Sequence, residues 1–292
     1  IRTNEPRAQT GGSRNAILAR GGSFLAGLLL LCAAAGAMDK ADVLFYAPFD
    51  KDLKPTIHRG KAEPAPVGSP SLADGKFGKA LEVTTTKSGV AYPLAGNLRA
   101  SQGTIAFWIS PVNWDGENSN IVQMLYSTEG PDWRYDIQHT WYRCQLNFLM
   151  LRDGKSVVKF PEWLGCGAVR MKYKGLKAGF EWMQPGIWWH VAFTWRNGEV
   201  RGFLNGKLQK EMNSPSLFLP DSSVKSLGKR FALGHAPYAL VYEADPGCED
   251  RWHPLLKKEF TTRIDDFVVL RRRLHPMQVE RLYEKGIKGL LH

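Results

Sequence analysis

The chain has 292 residues, 43% of them hydrophobic, with four cysteines, ten tryptophans and a formal net charge of +11. The first 37 residues hold Arg2, Arg7, Arg14, Arg20 and Glu5, so the remainder carries about +8, a modest excess with no block of five like charges. The longest basic runs are Arg271-Arg272-Arg273 and Lys257-Lys258. Without a basic helix or a basic-aromatic motif this argues against nucleic acid as the partner, while an anionic polysaccharide, the membrane surface or a solvated strand edge each fit.

Residues 1–37 read as a targeting region. Arg14 and Arg20 flank an apolar run from Phe24 to Ala35, and Ala35-Gly36-Ala37 has the small-x-small form of a signal-peptidase site. The run is short for a membrane span. Cys32 as an acylated residue is disfavoured by the bulk of Leu31 before it. A secreted, periplasmic or cell-surface chain beginning near Met38 is the expectation. That compartment is oxidising. Of Cys144, Cys166 and Cys248, the pair nearest in sequence, Cys144–Cys166, is the simplest disulfide, with geometry to decide. No C-x-x-C spacing supports zinc.

Beyond the leader, strand signals follow one another. Val43 to Asp50 opens, and 51–75 reads as loop with at most one short strand. Strands are expected at Gly78 to Val83, Gly89 to Pro93, Gly103 to Pro111 and 120–127, with a hairpin over 133–151 and Asp153-Gly154 as a tight turn. Residues 155–186 lack a regular pattern. In 188–195, Trp189, Val191, Phe193 and Trp195 alternate with His190, Ala192 and Thr194. Asn197-Gly198 and Asn205-Gly206 then supply two positive-φ turns, making a three-strand meander. Short strands at 230–234 and 263–270 flank a loop at 236–260 broken by Pro237, Pro246, Gly247 and Pro254. One helix closes the chain: Pro276 suits its first turn, Val279, Leu282 and Tyr283 share a face, and Gly286 terminates it. Strands without interleaved helices exclude a parallel sheet and give an all-β, two-sheet antiparallel jelly-roll sandwich with a short C-terminal helix.

In this order the segments resemble the laminin G-like, concanavalin A-like jelly-roll family. The resemblance rests on Tyr46-Ala47-Pro48-Phe49-Asp50, Gly78-Lys79-Ala80-Leu81, Gly103 to Pro111, Trp188 to Trp195, Leu204-Asn205-Gly206 and Ile264 to Leu274 with the helix through Glu280 and Tyr283, and covers residues 43–285. Lys51 stands where the family often has Gly, and Asn205-Gly206 where it usually has Asp-Gly. The resemblance places Trp108, Trp188 and Trp195 in the core and implies a binding module rather than a defined ligand, since members bind sugars or proteins and the fold also hosts enzymes.

The resemblance further implies a Ca²⁺ site through Asp50 and Asp265, with Asp266 as an alternate, since hard oxygen ligands suit that ion. The same aspartates equally suit capping and turn roles. Trp114, Trp133, Trp163, Trp182 and Trp252, with Trp141 in a similar setting, fall outside the core motifs and are candidates to stack on sugar rings. An exported carbohydrate-binding module is therefore expected. A protein-binding adhesion module is the alternative, followed by a hydrolase or lyase. A retaining hydrolase needs carboxylates roughly 5–5.5 Å apart, and in Glu243-Ala244-Asp245-Pro246-Gly247-Cys248-Glu249 the Pro-Gly breaks the required strand. Gln138-His139, Tyr173 and Lys177 match only fragments of a lyase pattern. No catalytic residue is assigned, and His190, flanked by apolar residues, reads as structural.

Overall fold

The computed structural model describes residues 38–84, 88–114, 122–130, 133–140, 145–152, 155–164, 183–213, 218–235 and 259–291. They belong to one compact unit, Ala37–His292. The leader, and with it the expected cleavage site, lies outside the described residues.

Among the described residues the strands are β1 (Val43–Ala47), β2 (Ile57–His58), β3 (Ala65–Val67), β4 (Ser71–Asp74), β5 (Lys79–Thr84), β6 (Gly89–Pro93), β7 (Gln102–Pro111), β8 (Val122–Thr128), β9 (Trp133–Thr140), β10 (Gln145–Arg152), β11 (Lys155–Leu164), β12 (Trp189–Arg196), β13 (Glu199–Leu204), β14 (Lys207–Asn213), β15 (Arg230–Leu233) and β16 (Thr261–Leu270), with helix α1 (Pro276–Lys285) near the end. They form two antiparallel sheets. The first runs β14-β13-β12-β7-β16-β1-β2, with β5 also on β16 and β4 on β5; the second runs β11-β10-β9-β8-β15-β6-β3. This is the sandwich expected from the sequence.

The meander forms as its two Asn-Gly pairs dictate. Asn197 and Gly198 have φ of 50° and 86°, Asn205 and Gly206 of 48° and 77°, the left-handed values a two-residue hairpin turn requires. Two stretches are more ordered than their sequence indicates. The 51–75 stretch holds β2, β3 and β4, each two to four residues long, and β2 and β4 are held by pairing to β1 and β5. Lys155–Leu164 is a full strand on the sheet edge. Pro161 interrupts its pattern, and an edge is where a strand tolerates proline.

Between the sheets lies an aromatic core. Phe45 meets Tyr92 and Phe231 edge-on at centroid distances of 4.9 and 5.1 Å, and Tyr126 stacks on Phe267 at 5.8 Å. Trp189, Val191, Phe193 and Trp195 enter this core on one face of β12. Trp108 and Trp195 are buried and Trp188 is half-buried.

The opposite face of the first sheet is buried too. Ala106 on β7 and Ala192 on β12 pair directly, and these small residues, with Tyr46, Phe203, Val268 and Leu270, form a second cluster with Val279, Leu282, Ile287 and Leu290 of α1 and the turn after it. Helix α1 begins where predicted. Its first turn is tied by the His275 N–H donating to Gln278 Oε1 at 3.0 Å, and Gly286, at φ 64°, ends it with an N–H to the Leu282 carbonyl. The fold reaches beyond 43–285 at both ends, because the Met38 N–H donates to the Leu290 carbonyl at 3.0 Å.

Candidate functional site

Strand β16 holds the first sheet together and splits it. Along one edge it pairs with β7 throughout; along the other it pairs with β5 through Thr261–Ile264 and with β1 through Phe267–Leu270. At the fork stand Asp265 and Asp266, where the β7 register shifts and Asp266 takes φ 50°. Asp265 is fully buried. Its Oδ2 accepts the N–H groups of Lys76 and Phe77 at 2.7 and 2.9 Å, and its Oδ1 accepts the N–H of Asp266 at 2.7 Å. The carboxylate thus satisfies the turn between β4 and β5, which would otherwise bury unpaired donors. Burial pushes the Asp265 carboxyl up to about 6, while the donors from Phe77 and Lys76 pull it down.

The other acidic groups meet the same fork. Tyr46 donates a short hydrogen bond to Asp266 Oδ1, and burial, then the Asp266 charge, pushes that phenol above its ordinary range. Burial also raises the Asp266 carboxyl. Gly78, at φ 105°, allows the turn to reach Asp50, whose Oδ1 lies 2.2 Å from where a Cβ would stand. Lys288 Nζ donates to Asp50 Oδ2 at 2.7 Å. Burial lowers the Lys288 ammonium, but its hydrogen bond to Asp50 and the Asp50, Asp266 and Asp265 charges outweigh this and raise it.

The fork does not fit a calcium ion. Asp265 spends its oxygens on three backbone N–H groups, Asp266 accepts from Tyr46, and Asp50 faces an ammonium. Ca²⁺ takes roughly six to eight oxygen ligands, and among the described residues no group of three or more His, Cys, Asp or Glu side chains is arranged to hold a metal.

Beside the fork, Lys76 Nζ lies 5.0 Å over the Trp108 ring, and Trp108 stacks on Tyr283 at 5.4 Å and touches Phe77 edge-on at 5.8 Å. His190 lies 5.2 Å from Trp108, is buried, and is held well below the usual imidazole range, at about 3, by that burial. It is a packing residue, as its apolar flanks indicate.

The candidate sugar-stacking tryptophans divide. Trp114 requires a correction: it is only 2% exposed, and its Nε1–H donates to Thr262 Oγ1 at 2.9 Å. The chain leaving β7 is pinned along β16, with the Val112 N–H on the Thr261 carbonyl and the Asn113 side chain bridging the Glu259 carbonyl and the Thr261 N–H. That folds Trp114 into the sandwich core. Trp133 opens β9 and Trp163 lies near the end of β11, both in the second sheet. Trp141, Trp182 and Trp252 lie outside the described residues, as do Cys144, Cys166 and Cys248 and the Tyr173, Lys177 and Glu243–Glu249 fragments.

One feature of the second sheet escaped the sequence reading. On β9, Tyr135 and Ile137 are fully buried. The alternate positions hold Arg134, Asp136 and Gln138. Register sets Gln138 against Asn147, Asp136 against Leu149 and Arg134 against Leu151 of β10, and Leu149 against Lys159 of β11. The period-2 signal in Arg134-Tyr135-Asp136-Ile137-Gln138 was available.

No curated protein sequence matches this chain. Its fold is similar to domain 4 of AbnA, a GH43 extracellular arabinanase from Geobacillus stearothermophilus solved in complex with arabinotriose, at 19% identity and TM-score 0.55 over 83% of this chain and 98% of that one. It is also similar to the binding domain of botulinum neurotoxin DC solved in complex with SialylT, at 15% identity and TM-score 0.54 over 84% of this chain. The binding domain of Paraclostridial Mosquitocidal Protein 1 is similar at 16% identity and TM-score 0.56. The chain spans about half the length of the latter two, 51% and 52%. At these identities the likeness is one of fold. The sequence profile of the concanavalin A-like lectin/glucanases superfamily matches residues 84–241, more than half of the chain, and the chain, with its two-sheet antiparallel sandwich, belongs to that superfamily.

Proposed function

We propose that this chain is an exported, non-catalytic module that binds carbohydrate, a polysaccharide or a cell-surface glycan, on the second sheet. The observation that carries the reading is the run of Arg134, Asp136 and Gln138 at the positions of β9 that alternate with the buried Tyr135 and Ile137, registered beside Asn147 on β10. Guanidinium, carboxylate and amide groups satisfy the paired hydroxyls of a sugar ring, and an indole stacks on its apolar face. Trp163 lies on β11 of the same sheet, whereas Trp133 occupies the set of β9 positions shared by Tyr135 and Ile137. The arabinanase domain solved with arabinotriose supports the ligand class, and the signal-like leader supports export.

The test is a glycan array on the domain beginning at Met38, followed by calorimetry on the best ligand. Asp136→Ala and Gln138→Ala should each weaken binding about tenfold, the effect of losing roughly 1.4 kcal/mol of contact. A domain that binds no glycan but binds an extracellular protein tightly is an adhesion module instead. Export is tested by N-terminal sequencing of the protein from the culture medium or periplasm, with Met38 as the expected first residue.

A further inference from the structure

We infer that Asn197-Gly198 is a site of spontaneous covalent modification, where the asparagine loses ammonia through a succinimide and becomes aspartate or isoaspartate, and that the fold shields the same dipeptide at Asn205-Gly206. This goes beyond the carbohydrate reading and is independent of it.

The two dipeptides bracket β13 and share the left-handed backbone of a hairpin turn. They start with the same chemistry. The glycine nitrogen attacks Cγ of the asparagine before it, the Cγ–Nδ2 bond breaks, and ammonia leaves with the proton of the glycine amide. Water then opens the five-membered ring. Hydrolysis of the new N–Cγ bond gives aspartate. Hydrolysis of the bond to the main-chain carbonyl gives isoaspartate, with one more methylene in the backbone. A glycine nitrogen attacks readily because no Cβ crowds it and its backbone is permissive. Each event replaces an amide with a carboxylate and needs only water, so the cost of opening the turn locally decides the rate.

That cost differs between the two turns. Asn197 is exposed, and its carboxamide has no hydrogen-bond partner among the described residues. Its N–H donates to the Ser101 carbonyl at 3.2 Å. Asn205 is clasped to β12 twice: its Oδ1 accepts the His190 N–H at 2.9 Å, and its own N–H donates to the His190 carbonyl at 2.8 Å. Swinging Cγ of Asn205 toward Gly206 therefore breaks a bond that Asn197 does not have. Gly206 is also pressed against helix α1, with Glu280 Cα and Tyr283 Cβ 3.0 and 3.1 Å from where a Cβ would stand, so its turn cannot open without moving the helix.

Tryptic peptide mapping of the whole protein, aged in warm, mildly alkaline buffer, tests this. Cleavage after Arg196, Arg201 and Lys207 puts the two sites on separate peptides, 197–201 and 202–207. In the folded protein the first peptide converts about tenfold faster than the second, a difference of about 1.4 kcal/mol in barrier. In urea, where the fold shields neither site, the two convert at similar rates. Asn197→Gly, which keeps the left-handed turn, removes the acidic species that accumulates on ion exchange as the wild-type protein ages. The inference is overturned if residue 197 stays asparagine in the folded protein, or if Asn205 converts as fast as Asn197 there. It is equally overturned if urea leaves the gap between the two peptides unchanged, because neighbouring residues rather than the fold then set it. Glycan binding plays no part in these readouts, so their failure and that of the carbohydrate reading are distinguishable.

Discussion

His190 shows how burial sets the chemistry of a single residue. Its ring lies among Trp108 and Tyr283, its Nδ1 has no hydrogen-bond partner among the described residues, and its pKa falls from 6.5 to about 3. Between those values the unfolded chain binds a proton that the folded chain refuses. Stability contributed by the neutral ring is therefore present above the unfolded pKa and is lost as pH falls through that window, at up to about 1.4 kcal/mol per pH unit. Urea unfolding across this range should show a smaller acid loss for His190→Phe than for the wild type. An unchanged slope would assign the acid sensitivity to other groups. Asp265 is the second test at this scale. Removing an acceptor that serves three backbone donors leaves them buried and unpaired, so Asp265→Ala should cost about 3 kcal/mol and lower the melting temperature by roughly 10 °C. The role of this residue was half legible: its place at the end of the chain marks it out, but whether it binds a metal or ties a turn depends on residues 76 and 77, which lie far away in sequence.

At the scale of elements, the second Asn-Gly turn does more than reverse the chain. A Cβ on Gly206 would lie 3.0 Å from Glu280 Cα and 3.1 Å from Tyr283 Cβ, so the turn is a seat for α1. Gly206→Ala combines the cost of a left-handed non-glycine residue, roughly 1–2 kcal/mol, with displacement of the helix. Gly186, also at positive φ but with nothing within 4 Å of a Cβ, isolates the first part. Thermal unfolding should show Gly206→Ala as the more destabilised of the two; equal losses would mean that the helix is not seated on the turn. Elements with strong local signals were readable in advance: the alternation of Trp189 to Trp195, the two Asn-Gly dipeptides, and the helix between Pro276 and Gly286. Strands β2 and β4 were not, because two to four residues carry too little pattern and their order comes from β1 and β5. Burial on both faces of β12 was unreadable for a similar reason. His190 and Ala192 pack against helix α1, far later in sequence, not against solvent.

For the molecule as a whole, the two sheets have different duties. The first is covered by α1 and by the turn carrying Lys288, and its polar groups at the fork are spent on internal bonds. The second carries Trp133, Trp163 and the alternating Arg134, Asp136 and Gln138, and it is there that the ligand surface is proposed. Composition and motif order sufficed for the architecture. They could not sort the tryptophans, because Trp114 turns inward only through the pinning of Val112 and Asn113 against β16. Hydrogen exchange of the domain with and without a saturating glycan tests the division of duties most directly. The account predicts added protection within residues 133–164, along β9, β10 and β11, with the first sheet unchanged. Protection confined to the first sheet, or none with any glycan that binds, would contradict it.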